Sequence, residues 1–318
     1  MKKKISQPGR VSLWLIIGLL VLIGLAIGGF FLKRGLPISV PGTPLPTVVK
    51  RFSDAHAHLF NSDYIDYLIE AMDKNGVEKT VLFGSCGQDY YRSKGKYESG
   101  ISKEYNEKIL AAYQKYPERV LPILSGFDPQ NVNSIKYVEE ELAKGVWKGI
   151  GEMYLIHESL LDYKTRADNP VMKEIYKLLA KYDVPMFFHY ERRSEDDVKV
   201  LLQEMKNNPK VKFIWVHGAH HKDDKELEKE LTENPNMYVE MEEISGFPPG
   251  QIKFFEKFSD RFMLGTDIGC SDDLQTTQKY NYTEAINLHK KLLEFLTPQT
   301  AENFAYKNLF RLLKVQED

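Results

Sequence analysis

Residues 53–59 read Ser53-Asp54-Ala55-His56-Ala57-His58-Leu59, with two histidines at i and i+2 where a strand ends. Alternation along a strand sets both imidazoles on one face, able to point inward and share one cation. A His-x-His on its own is a weak sign, because ordinary polar loop histidines give the same string. Its weight comes from what recurs behind it. His58, Glu152, His189, His217 and Asp267 each end a predicted strand, and they span 209 residues over seven repeats of about 30. The gaps agree: 94 residues make three repeats, 37 and 28 make one each, and 50 makes two short ones. All strand C-termini of a parallel barrel gather at one mouth, so these five residues are expected to converge there.

Short β-branched or aromatic runs at residues 51–56, 79–83, 120–125, 149–153, 184–189, 212–217, 237–240 and 262–267 supply eight strands. Amphipathic, Lys- and Glu-rich runs at 64–74, 103–115, 132–144, 171–182, 196–207, 225–233, 251–258 and 283–295 supply the helices, and a helix at 299–313 closes the chain. Strands alternating with helices require parallel strands joined by crossovers. Eight repeats in about 265 residues match an α/β fold of the (β/α)8 TIM-barrel type, typically ~250 residues long. A doubly wound open sheet is the alternative, because periodicity alone does not show closure.

Composition bounds the rest. With 42% hydrophobic and 28% charged residues, the chain has the balance of a packed globular protein and not of a disordered one. Two cysteines exclude a disulfide scaffold and a four-cysteine zinc site. A mean hydropathy of −0.40 excludes a polytopic membrane protein, but that average hides one apolar run. Residues 11–32 are 22 consecutive positions without a formal charge, apolar or Gly apart from Ser12. As a helix at ~1.5 Å per residue they would reach ~33 Å, enough to cross a bilayer's hydrocarbon core.

Lys2, Lys3, Lys4 and Arg10 precede this run and Lys33 and Arg34 follow it, so the positive excess favours a cytoplasmic N-terminus. The expected organisation is a cytoplasmic tail at 1–10, a single-pass signal anchor at 11–32, a Pro-rich linker at 33–50 and an exported barrel at 51–318 of the cell membrane. A cleaved signal peptide competes, although its apolar core is usually shorter, at ~7–15 residues. The six flanking cations turn the chain's formal charge of −2 into −8 from residue 35 onward. No basic stripe for a polyanion is visible there, so a small-molecule substrate is expected and no nucleic-acid partner.

His189 ends the apolar run Pro185-Met186-Phe187-Phe188-His189, and Asp267 ends Met263-Leu264-Gly265-Thr266-Asp267. A buried imidazole or carboxylate in such places needs a partner, and a satisfied core residue is the plain alternative. Together His56, His58, His189 and Asp267 form a mixed N/O donor set suited to Zn2+, with Mn2+, Fe2+ or Ni2+ accommodated.

These strings resemble the amidohydrolase superfamily, and within it the amidohydrolase-related (amidohydrolase 2) group of metal-dependent hydrolases and decarboxylases. The resemblance covers about residues 51–314, through Asp54-Ala55-His56-Ala57-His58, His189, Val216-His217-Gly218, Leu264-Gly265-Thr266-Asp267 and Asn308-Leu309-Phe310-Arg311-Leu312-Leu313. It implies that His56, His58, His189 and Asp267 bind a catalytic metal. Glu152 stands where binuclear members carry a bridging carboxylated lysine or, as in TatD-like deoxyribonucleases, a glutamate. If Glu152 bridges two ions, His217 ligates the second; if one ion is bound, Glu152 can orient a ligand histidine and His217 polarises the substrate.

The implied chemistry is hydrolysis. A metal with an open position lowers the pKa of its water toward ~7, Asp267 serves as base and then acid, and His217 stabilises the developing oxyanion. The expected substrate is a small-molecule amide, ester, lactone or phosphoester. A decarboxylase of the aminocarboxymuconate-semialdehyde type is the runner-up, a non-catalytic ligand-binding domain on a membrane tether is a third reading, and a TatD-like nuclease ranks lower for want of a basic stripe. Arg192, Tyr154 and Tyr90 are the named substrate contacts, with Arg193, Tyr91, Arg92, His220 and His221 on the same loops. Glu240, Glu242 and Glu243 either bind a cationic or hydroxylated group or simply face water. Cys86 and Cys270 are expected as separate thiols, since strands two apart stand ~9.6 Å from each other and a disulfide needs Cα atoms within ~7 Å.

Overall fold

The computed structural model describes residues 49–59, 64–84, 103–156, 164–220, 224–242, 249–269 and 282–317. Its eight strands are β1 (Asp54–His58), β2 (Thr80–Phe83), β3 (Val120–Leu124), β4 (Gly149–Ile156), β5 (Met186–Tyr190), β6 (Phe213–Trp215), β7 (Met237–Met241) and β8 (Phe262–Leu264). Every strand residue is buried, as expected where helices cover one face and a packed interior fills the other. The strands pair in parallel in sequence order from β1 to β8. The segment after β8 returns to β1: Thr266 and Asp267 donate their backbone N–H groups to His56 O at 3.1 and 2.8 Å, and His58 N–H donates to Ile268 O at 2.8 Å. The order is that of a TIM barrel, and the open-sheet alternative is excluded.

The helices that alternate with the strands are α1 (Ile65–Asn75), α2 (Lys103–Lys115), α3 (Asn133–Leu142), α4 (Pro170–Tyr182), α5 (Glu195–Asn207), α6 (Asp224–Glu233), α7 (Pro249–Lys257) and α8 (Tyr282–Leu293). Their starts follow sequence chemistry. Asn169 and Ser194 cap α4 and α5 by accepting from Val171 N and Asp197 N, and Pro170 opens α4 where no intrahelical donor is needed.

β4 runs past Glu152 to Ile156 and β6 stops at Trp215, so neither Glu152 nor His217 ends its strand as expected, and three further elements differ. β1 starts at Asp54 and not at residue 51, because Ser53 N–H bonds to Ala305 O in the C-terminal segment while Arg51 forks onto Glu78 at 2.7 Å. β8 ends at Leu264, since Thr266 and Asp267 turn their N–H groups toward β1. The closing helix is split into α9 (Pro298–Glu302), a π-helical turn (Asn303–Lys307) and α10 (Asn308–Leu313). Asn308 heads α10 by donating to Ser259 O and Phe262 O, and Phe304 packs against Phe255 and Phe262, which ties this end of the chain to β8.

Among the described residues no helix is long and apolar enough to cross a membrane. The expected span at residues 11–32 lies outside the described residues, as do the tail and the linker up to residue 48.

Candidate metal centre

Alternation along β1 delivers the arrangement expected of it. His56 and His58 are buried, and their Nε2 atoms face each other at 3.0 Å. Asp267 Oδ1 lies 3.3 Å from His56 Nε2 and 3.1 Å from His58 Nε2, while Glu152 Oε2 lies 3.5 and 3.4 Å from the same two atoms. Across Glu152 a second set assembles: Oε1 is 3.3 Å from His189 Nδ1 and 3.0 Å from His217 Nε2. Glu152 therefore turns one oxygen to each of two donor groups, His56–His58–Asp267 and His189–His217. Within each group, Glu152 included, the ligand atoms lie within 4.8 Å of one another. His189 stands with His217 on the far oxygen, apart from the three residues with which the resemblance grouped it.

The backbone is bent to achieve this. His217 (φ 56°) opens a 3-10 turn at His217–His220 after β6, and Asp267 (φ 50°) follows β8; both are left-handed without being glycine. Such residues cost ~1–3 kcal/mol each and persist where the surroundings over-determine them. For Asp267 those surroundings begin with Asp54, whose Oδ1 accepts from Thr266 N (2.9 Å) and His56 N (3.1 Å) and whose Oδ2 accepts from Thr266 Oγ1 (2.8 Å). Beneath the pair, Phe83 sets its ring 4.9 Å from that of His56 and 5.4 Å from that of His58, an apolar floor.

The charge balance points one way. Burial opposes protonation of His56 and His58, yet the carboxylates around them outweigh it: His56 lies well above the usual imidazole range and His58 is raised to about 9. Burial likewise opposes His217, and Glu152 and Glu242 carry it well above that range. Burial opposes charge on Glu152 and Asp267, yet the histidines hold both carboxyls below the carboxylate range. The cluster attracts positive charge into its centre. Glu152 Oε2, buried and accepting no hydrogen bond, faces two imidazole nitrogens, and such convergent acceptors fit a divalent cation.

Other expected residues fall in different places. Tyr154, on β4, is buried with its ring 4.9 Å from that of His189, beside the cluster. Arg192 is bound elsewhere: it forks onto Glu230 of α6 at 2.9 and 2.6 Å and lies over the Trp215 ring at 4.6 Å, lining a groove of about 800 Å3 between α5 and α6. Arg193 pairs with Glu191 at 3.4 Å, and Glu191 in turn approaches His189 Nε2 at 3.4 Å. Tyr90, Tyr91, Arg92, Cys86, Cys270, His221 and Glu243 lie outside the described residues, and so does the side chain of His220.

Two carboxylates have partners that the sequence did not disclose. Glu240 Oε2 meets His56 Nδ1 at 3.1 Å and accepts from His217 N at 3.3 Å, and Glu242 Oε2 meets His217 Nδ1 at 2.6 Å. Burial lifts Glu242 to about 7 while His217 pulls it down. The available signal was their i, i+2 spacing at the end of β7, the same alternation that reads His56 and His58.

Solved structures share this fold at low sequence identity. A 2,6-dihydroxybenzoate decarboxylase from Rhizobium aligns with TM-score 0.59 at 13% identity, over 84% of this chain and 99% of that one. A 4-oxalomesaconate hydratase from Rhodopseudomonas palustris gives 0.59 at 13%, over 83% and 96%. The 5-carboxyvanillate decarboxylase of Novosphingobium aromaticivorans, solved with manganese, gives 0.54 at 15%, over 78% and 80%. No curated protein matches the chain. The family described as TatD related DNase matches residues 53–313, from the residue before Asp54 to the end of α10. With barrel, donor cluster and family agreeing, the chain belongs to the TatD-related DNase family, TIM-barrel metal enzymes of the amidohydrolase superfamily.

Proposed function

We propose that the chain is a metal-dependent hydrolase whose Glu152, with His56, His58 and Asp267 on one side and His189 and His217 on the other, would hold two divalent cations, acting on a small phosphoester and held at the membrane by residues 11–32. The observation that carries the reading is the division of Glu152, with Oε2 toward His56, His58 and Asp267 and Oε1 toward His189 and His217. Divalent cations in the two groups would supply Lewis acidity and an acidified water, the chemistry that two-metal phosphatases and nucleases use. Zn2+ suits the N/O donors, and Mn2+ is compatible with them.

The chain's own residues supply the rest. Asp267 is the only member of the first group with substantial side-chain exposure, 26%, against none for His56, His58 and Glu152. It is therefore the group that can take a proton from water at the mouth and return it to a leaving group. Its left-handed backbone and the Asp54–Thr266 bonds keep it aimed. Phe83 closes the floor against bulk water.

Phosphoesters are favoured among hydrolase substrates because the chain's family is one of deoxyribonucleases. A small ester is favoured over a polymer because the chain carries a formal −8 from residue 35 onward, which repels a polyanion. The apolar run of 22 residues and its basic flank support the anchor. The test is a panel on the full chain in detergent, loaded with Zn2+ or Mn2+: small phosphomonoesters and phosphodiesters, carboxylic esters, amides, a single-stranded oligonucleotide, and aromatic carboxylates followed for carbon dioxide. Turnover of a small phosphoester above the other classes is expected. Carbon dioxide release without hydrolysis, or cleavage confined to the oligonucleotide, would overturn the assignment.

A further inference from the structure

The end of β7 places Glu240 and Glu242 two residues apart, so both carboxylates leave the strand on one face. They reach different histidines. Glu240 Oε2 lies 3.1 Å from His56 Nδ1, and Glu242 Oε2 lies 2.6 Å from His217 Nδ1. The other nitrogen of each ring, Nε2, faces Glu152, His56 toward Oε2 and His217 toward Oε1. One strand end thus holds the back of one imidazole in each donor group.

Through Oε2, Glu240 accepts in addition only the backbone N–H of His217, at 3.3 Å, among the described residues. It is fully buried, which removes it from contact with a substrate, and its Oε1 accepts no hydrogen bond, a costly state for a carboxylate. Space for it exists because residue 265 is glycine. A Cβ there would collide with Glu240 Oε1 and stand 2.5 Å from His56 Cβ. The missing side chain on β8's exit and the carboxylate from β7 are complementary parts of one contact on His56.

We propose that Glu240 and Glu242 are positioning residues that hold the Nδ1–H of His56 and of His217, fix both rings with Nε2 toward Glu152, and so set the cation affinity of each donor group. The proposal rests on the metal-centre reading above. Carboxylates behind ligand histidines typically change metal affinity 10–100-fold when removed.

The test uses the full chain in detergent with zinc as probe, titrated against a chromophoric chelator. Glu240→Ala and Glu242→Ala are each expected to weaken one of two zinc sites by about 10–100-fold, while Glu240→Gln, whose amide oxygen still accepts from Nδ1–H, stays within a few-fold of wild type. A second readout does not depend on the alanine chains folding. In the zinc-loaded protein the His56 Nδ1–H proton should resonate far downfield and exchange slowly, and Glu240→Gln should move it upfield as a neutral acceptor replaces a charged one. Zinc bound by wild type with unchanged affinity in both alanine variants, or a resonance that Glu240→Gln leaves in place, overturns this proposal and spares the metal centre. A wild-type chain that binds no zinc overturns both.

Discussion

The Nε2 atoms of His56 and His58 lie 3.0 Å apart in a buried pocket over Phe83, with a carboxylate oxygen of Asp267 within 3.3 Å of each. Two imidazole nitrogens that close either share an N–H between them or take up a cation. Against burial, the carboxylates of Asp267, Glu240 and Glu152 raise His56, and those of Asp267 and Glu152 raise His58, so the surroundings favour the cationic choice. A divalent cation would be held there by His56, His58, Asp267 and Glu152.

Asp267→Asn keeps the shape of the side chain and removes the base. Turnover should fall about 10²–10⁴-fold, with the circular dichroism of the barrel unchanged. An unaltered kcat would take Asp267 out of the reaction.

Asp54 is the joint between β1 and the segment after β8, taking three hydrogen bonds from Thr266 and His56. Asp54→Ala takes the acceptor from His56 N–H and leaves Thr266 N–H and Oγ1–H with His56 O alone, at ~1–3 kcal/mol for a buried group left unsatisfied. The denaturant midpoint should drop by the equivalent of about 3 kcal/mol. A midpoint within experimental error of wild type would mean that closure depends on the backbone bonds alone.

Arg192 was expected to meet substrate, and the structure joins it to Glu230 and Trp215. Arg192→Ala should leave KM within about twofold. It should also lower stability by roughly 3–5 kcal/mol, because the Glu230 side chain, only 6% exposed, loses the partner of a buried pair. A large rise in KM at unchanged stability would restore the substrate role.

His289 of α8 gives the fold a dependence on pH. Burial lowers its pKa from 6.5 to about 4, and its Nε2–H donates to Glu242 O at 3.1 Å. The unfolded chain therefore takes up a proton before the folded one does. Its contribution is complete above pH 6.5 and is lost as pH falls toward 4, by about 3 kcal/mol in all. Urea midpoints of wild type and His289→Gln, measured between these limits, should show a shallower decline in the variant. Parallel curves would exclude His289 as the cause.

The sequence made the barrel legible because each strand is a short apolar run and each candidate ligand lies in or just after one of them, so a spacing of about 30 residues sufficed to bring His58 and Asp267 to one mouth. What it could not disclose was direction within that mouth. His189 and His217 share one oxygen of Glu152 because β4, β5 and β6 lie side by side, a relation that a list of strand ends does not contain. Arg192 misled for a similar reason, since a guanidinium after β5 can turn toward α6 as easily as toward the mouth. Glu240 and Glu242 looked like a solvated charge run until Gly265 showed the room kept for one of them.

The most direct test of the two-cation centre is the metal content of the full chain, purified without chelator, loaded with Zn2+ or Mn2+, freed of excess and measured by elemental analysis. The account predicts close to two ions per chain, falling to one or fewer in Glu152→Ala. A wild-type chain that retains one ion or none, or a Glu152→Ala chain that still retains two, would contradict it.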